Sequence, residues 1–276
     1  MSRERLEKRF AGLKAEGRAA FIAYIMAGDP DAGTALEILE GLATAGADVI
    51  ELGFPFSDPM ADGPAIQLAA RRALADGMTL KGTLELAHGF RQTDETTPLV
   101  MMGYLNPLET YGLKRFAADA AEAGIDGIIV VDCPPEESQE LDDALAGAGV
   151  SRIWLATPTT DDERLKVVLR GSSGFVYYVS VTGVTGVKEA DASAVAPHVK
   201  RIKAASPLPV AVGFGIKTPE RASAVARVAD AVVVGSALVE EIAGALQRNE
   251  TPVPKVLETA RRLAQAVREA REKTPV

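Results

Sequence analysis

Cysteine is almost missing from this chain. Cys133 stands alone, so no intrachain disulfide and no Cys-rich zinc site is available, and a reducing, cytoplasmic setting is expected. Histidine is nearly as scarce. His88 and His198 fall in helical patterns away from strand ends and read as surface residues. Without a His–carboxylate cluster a metal site is not expected. No apolar run approaches the ~18 residues of a membrane span. A charged stretch over 1–18 does precede an apolar run over 19–27, as in a secretion signal. However, Glu4, Glu7 and Glu16 interrupt it and Asp29-Pro30 follows without a small-residue cleavage site, so a first core strand is expected instead. An excess of positive charge is also lacking. Thirty Lys and Arg stand against 38 Asp and Glu, a net charge of -8, which disfavours nucleic acid. A local nest of N–H groups can still hold phosphate against that sign. Neither a linker nor a low-complexity tract appears, and residues 1–276 are expected to form one domain.

What is present is alternation. Hydrophobic residues make up 47% of 276 and charged residues 25%, enough for one sizeable core. Short β-branched runs at 20–26, 48–53, 99–103, 127–131, 152–156, 174–180, 209–213 and 229–235 are separated by longer helical stretches. Runs such as Ile128-Ile129-Val130-Val131 and Ala231-Val232-Val233-Val234 are apolar on both faces, as in a parallel sheet covered by helices. Asp31 and Pro219 sit where helices open. Eight β–α units predict a closed (β/α)8 TIM barrel of the α/β class. An extra N-terminal helix is expected over 3–15, an additional helical segment after strand two over 65–75 and 80–92, and a closing helix over 255–273. A doubly wound open sheet is the alternative.

In such barrels chemistry lies at the C-terminal strand ends. Strand two ends Val49-Ile50-Glu51-Leu52-Gly53. With period two, Val49, Glu51 and Gly53 point inward. Glu51 then reads either as a proton-transfer carboxylate raised by desolvation or as a scaffold acid paired with Arg or Lys. In the next loop Asp62 reads as a second carboxylate over the barrel or as an N-cap. Gly213-Phe214-Gly215 and Gly235-Ser236 end strands seven and eight, where backbone can approach phosphate. The loop after strand six, Ser180-Val181-Thr182-Gly183-Val184-Thr185-Gly186-Val187, has the composition of a lid or of a static turn. Lys188 follows it, with no role readable.

These segments resemble a known family. Glu51-Leu52-Gly53-Phe54-Pro55-Phe56-Ser57-Asp58-Pro59-Met60-Ala61-Asp62-Gly63-Pro64 is similar to the signature of tryptophan synthase α subunits. Gly28-Asp29-Pro30, Asp132 with Pro134, Glu136 and Glu137, Thr182-Gly183-Val184-Thr185-Gly186 and Gly213-Phe214-Gly215-Ile216 agree in order. The resemblance implies a lyase of tryptophan biosynthesis that splits indole-3-glycerol phosphate into indole and glyceraldehyde 3-phosphate. It implies Glu51 as general acid/base, Asp62 as the carboxylate on the indole N–H, and Tyr177 near that glutamate. Gly186, Gly215, Gly235 and Ser236 match phosphate contacts, and Thr185 the lid residue that meets Asp62. Tyr24, Tyr104 and Phe214 are expected to wall the indole or to pack the core. The resemblance also implies a β partner in an α2β2 heterotetramer, with pyridoxal phosphate in that partner and no cofactor on this chain. The segment 54–60 is expected to dock the partner or to pack on its own barrel. Three positions depart from the family's usual residues: Tyr24 for phenylalanine, Val181 for an arginine and Ala70 for an asparagine, the last two on the lid and partner sides. Another phosphate-sugar barrel isomerase, or a barrel that only activates a β partner allosterically, is the alternative function.

Overall fold

The structure is a computed structural model that describes residues 2–180, 192–213 and 215–272, with the side chains of residues 2 and 3 excluded. Its strands run in the expected order: Ala20–Met26, Val49–Gly53, Leu99–Gly103, Gly127–Val130, a fifth in two pieces (Ser151–Arg152 and Trp154–Ala156), Val176–Val179, Val210–Gly213 and Ala231–Val234. All pairings are parallel. The first strand bonds to both the second and the eighth. The fifth bonds to the fourth through its first piece and to the sixth through its second. The sheet therefore returns on itself, and the open doubly wound alternative falls. The break lies at Ile153, whose N–H still reaches the Ile128 carbonyl at 3.0 Å.

Side-chain alternation divides the apolar residues into two layers. Ile22, Val49, Val100, Ile129, Tyr177 and Val233 fill the barrel, and Leu6, Phe10 and Leu13 of the helix Ser2–Ala15 join them. Phe10 rests on Phe175 with ring centroids 5.6 Å apart, so this helix plugs the end where the strands begin. Each such buried side chain contributes about 1.5–3 kcal/mol. Ile50, Leu52, Met101 and Ile128 face the surrounding helices. The added helices after strand two are Pro64–Ala75 and Leu80–Arg91. Asp31 and Thr218 cap helices by accepting the N–H groups of Thr34 and Arg221, and Pro219 occupies the first turn as expected.

Long-range ion pairs fasten the barrel. Arg72 grips Asp29 with two bonds of 2.7 and 2.8 Å, and Arg18 grips Asp48 with two of 2.9 Å. Asp126 lies between Arg5 at 2.7 Å and Arg91 at 2.9 Å.

Several expectations need correction. The closing helix is Val253–Arg268, ending in a 3-10 turn, Glu269–Arg271. His88 is exposed, but His198 is half-buried and stacks on Tyr178 at 5.3 Å. Ala70 is buried in the outer layer, so the helix face that carries it meets the barrel rather than a partner. Among the described residues no helix is long and apolar enough to cross a membrane.

Candidate active site

Glu51 points into the barrel mouth, as the period of its strand requires, with Val49 below it in the inner layer and Ile50 and Leu52 in the outer one. It is 1% exposed, and its Oε2 has no hydrogen-bond partner. Asp29, Asp48 and Asp126 are equally buried, yet each holds an arginine. Among the described residues no cation pairs with Glu51, which argues against the scaffold reading of this residue. Removing a carboxylate from water without a compensating charge disfavours ionisation. Desolvation first, and the Asp62 carboxylate second, push Glu51 up to about 8.

Asp62 reaches the same space from the loop after strand two. It is not the cap of the next helix: that position is Gly63, without a side-chain bond, and Pro64 fills the first turn. Short local bonds hold the loop instead. The Asp62 N–H donates to the Pro59 carbonyl at 3.1 Å, and Gln67 Nε2 donates to the Asp62 carbonyl at 2.9 Å. Its carboxyl is pushed up to about 6 by burial, against the lowering effect of a hydrogen bond from Tyr104. The Tyr104 hydroxyl in turn accepts the Ala61 N–H at 3.0 Å, and the Tyr104 ring leans on Phe56 with centroids 5.3 Å apart.

Tyrosines complete the pocket. Tyr24 is the register partner of Glu51 on the first strand. Burial drives its hydroxyl well above the ordinary phenol range, and the Asp62 and Glu51 charges add to that. Tyr177, inward on strand six, is raised by burial and then by Glu51. Met102, Val131, Leu155 and Val179 pack on the inner layer from above. These four escaped the sequence reading, although inward parity at the last turn of each strand is the signal that marks them.

Three strand-end glycines make this packing possible. A Cβ at Gly53 would lie 2.2 Å from the Tyr24 hydroxyl, one at Gly103 2.3 Å from the Phe54 ring, and one at Gly213 2.1 Å from the Tyr177 hydroxyl. Gly213 is thus a socket for a tyrosine. Its carbonyl is taken by the Ser180 N–H at 3.3 Å and Oγ at 2.8 Å. Of the expected phosphate contacts, the described residues hold Gly215, in the left-handed region at φ 72°, and Gly235-Ser236. The Gly235 carbonyl accepts the Leu238 and Val239 N–H groups. The first N–H groups of the helix Ser236–Gln247 are left to face an anion, as helix geometry dictates.

Phe54 and Pro55 are buried, and only the loop tip is open, with Met60 72% exposed. The docking expectation for this segment is therefore restricted to its tip. Thr185, Gly186, Phe214, Lys188 and Val181 lie outside the described residues. Cys133 is buried, and its thiol is raised by burial.

Comparison with known proteins fits this geometry. A family model described as "Tryptophan synthase alpha chain" matches residues 10–268. The chain belongs to the tryptophan synthase α chain family. It is 68% identical to the tryptophan synthase alpha chain of Phenylobacterium zucineum (strain HLK1) over 271 residues, 98% of each chain. It is 64% identical to that of Caulobacter sp. (strain K31), again over 98% of each. Among solved structures, subunit alpha from Legionella pneumophila str. Paris superposes with a TM-score of 0.89 at 41% identity, covering 95% of this chain and 98% of that one. Tryptophan synthase from M. tuberculosis in an aminoacrylate-bound form superposes at 0.85 with 35% identity, covering 96% and 99%. Membership in the tryptophan synthase α chain family removes the isomerase reading. Glu51, Asp62, Tyr104, Tyr177 and Gly235 all fall within the matched length.

Proposed function

We propose that the chain performs the α reaction of tryptophan synthase, the cleavage of indole-3-glycerol phosphate to indole and glyceraldehyde 3-phosphate, with Glu51 as general acid/base and Asp62 as the electrostatic partner of the indole nitrogen. The observation that carries the reading is a fully buried Glu51, without a paired cation among the described residues, beside a second carboxylate. Near neutral pH Glu51 holds its proton and Asp62 is largely ionised. Glu51 delivers its proton to indole C3, which becomes tetrahedral, and positive charge spreads onto N1. Asp62 accepts the N1–H and stabilises that charge. The ionised Glu51 then takes the proton of the glycerol 3′-hydroxyl. The C–C bond breaks, its electron pair restores the indole ring, and the aldehyde leaves. The proton balance closes on Glu51, so the cycle needs no net acid or base. Tyr177 packs beside Glu51 and keeps its surroundings dry. Tyr24 and Tyr104 wall the ring, as would Phe214. Gly215, Gly235 and Ser236, with Gly186, hold the phosphate, and Thr185 meets Asp62 on closure.

Residues 1–276 act as one catalytic unit in the cytoplasm. Indole passes to a β subunit that carries pyridoxal phosphate, in an α2β2 assembly reached through the exposed tip of the 54–60 loop. The test is product analysis of the purified chain with indole-3-glycerol phosphate, with and without a β subunit. Indole and glyceraldehyde 3-phosphate in equal amounts, lost by at least ~100-fold in Glu51→Gln, support the reading. Stimulation of a β subunit without any indole release would instead identify a purely allosteric barrel.

A further inference from the structure

Asp62 sits on a loop, yet both of its backbone groups are bonded. Its N–H donates to the Pro59 carbonyl at 3.1 Å, and its carbonyl accepts from Gln67 Nε2 at 2.9 Å. The same Gln67 amide reaches the Pro59 carbonyl at 3.5 Å. One side chain therefore gathers the two carbonyls at the ends of the 59–62 turn. The N–H before Asp62, that of Ala61, donates to the Tyr104 hydroxyl at 3.0 Å.

Gln67 is presented by an anchored element. It lies in the helix Pro64–Ala75, and its own N–H bonds the Gly63 carbonyl at 3.0 Å. Ala69, Ala70 and Ala73 of that helix are buried in the outer layer. Arg72 grips Asp29 at the end of strand one with bonds of 2.7 and 2.8 Å. Gly63, the cap of the helix, offers no side-chain bond. Gln67 supplies the side-chain link between loop and helix instead, and it is half-buried. With N–H and carbonyl both held, the Asp62 carboxylate moves chiefly through its own side-chain torsions. Tyr104 also meets the carboxyl itself, so it acts on charge as well as place. Both Gln67 side-chain bonds go to main chain, so its effect on Asp62 is one of place.

We propose that Gln67 is a positioning residue for the α reaction: its amide clasps the 59–62 turn to the anchored helix and keeps the Asp62 carboxylate where the indole nitrogen arrives. The inference rests on the reading of Asp62 as the partner of that nitrogen. Charge on N1 is greatest in the transition state, and a preorganised group loses its worth when it drifts from its place. The clasp thus governs turnover more than substrate binding.

The experiment is steady-state kinetics of indole release from indole-3-glycerol phosphate by the full chain, Gln67→Met, Asp62→Asn and the double variant, with thermal melts to establish folding. Methionine keeps the length of the side chain and removes its donors. In Gln67→Met kcat should fall ~10- to 100-fold, with KM changed less than ~2-fold. The same substitution made on Asp62→Asn should cause no further loss, because the group it positions is gone. If Gln67→Met does not fold, Gln67→Glu replaces it in both backgrounds with the same expectations, since an ionised carboxylate has the same shape and cannot donate. Equal losses with and without the Asp62 carboxylate would overturn the proposal, as the signature of a disturbed barrel. Unchanged kcat beside a crippled Asp62→Asn would overturn it as well and leave the reading of Asp62 intact. An Asp62→Asn chain as active as the native one would instead remove that parent reading, and the proposal with it.

Discussion

Replacing Glu51 with glutamine is expected to destroy activity and at the same time to stabilise the fold in a pH-dependent way. The carboxyl titrates at about 8 in the folded chain, against 4.5 for the free group. A raised folded value means that the native state favours the neutral acid. Its contribution is fully present below 4.5 and is lost as pH rises towards 8, because the unfolded chain ionises first. At ~1.4 kcal/mol per tenfold change, the folded chain loses up to about 3 kcal/mol between about pH 5 and about pH 8 through this one group. Glutamine keeps the shape and does not titrate. Its buried amide, facing the same lack of partners, costs about 1–3 kcal/mol, but that cost does not change with pH. The readout is therefore the slope. Urea unfolding of native and Glu51→Gln chains across this range should show a stability difference that grows steadily in favour of the variant. A difference that stays flat would mean that Glu51 ionises normally in the fold, and the desolvation reasoning would be refuted.

Four further outcomes are expected. Asp62→Asn should lower kcat for indole release ~100- to 1,000-fold, the scale of one lost electrostatic contact to developing charge, with a much smaller change in KM; steady-state kinetics measure both. Arg72→Leu leaves Asp29 buried without its cation and should cost about 3–5 kcal/mol in urea unfolding. Gly213→Ala forces the Tyr177 ring from its socket and should lower stability by about 1–3 kcal/mol, with a parallel loss of indole release, both read on the same preparation. Ser236→Asp sets a negative charge at the helix end proposed to hold the phosphate and should raise KM at least ~10-fold with kcat little changed.

Much of the fold was readable because it is written in local pattern. Strand parity alone placed Glu51 inward and Leu52 outward, and both assignments hold. Asp31 and Pro219 declared their helices through residues within one turn. What local pattern does not encode is long-range pairing. Arg72 and Asp29 are 43 residues apart, and Arg5 and Asp126 are 121 apart. Nothing near either residue says that they meet, so the contrast that isolates Glu51 needs coordinates. The socket at Gly213 was hidden for the same reason: nothing beside a strand-end glycine says which distant ring needs its empty Cβ. Asp62 was ambiguous because an acid two residues before Pro64 suits a cap as well as a pocket, and only the helix start at Pro64 with Gly63 as cap decides it.

The division of labour between the two acids meets its most direct test in the pH profile of kcat/KM for indole release by the native chain, from about pH 5 to about pH 9. A bell is predicted, rising near 6 as Asp62 ionises and falling near 8 as Glu51 loses its proton. A flat profile through that whole range, with both acids titrating as they do in water, would contradict it.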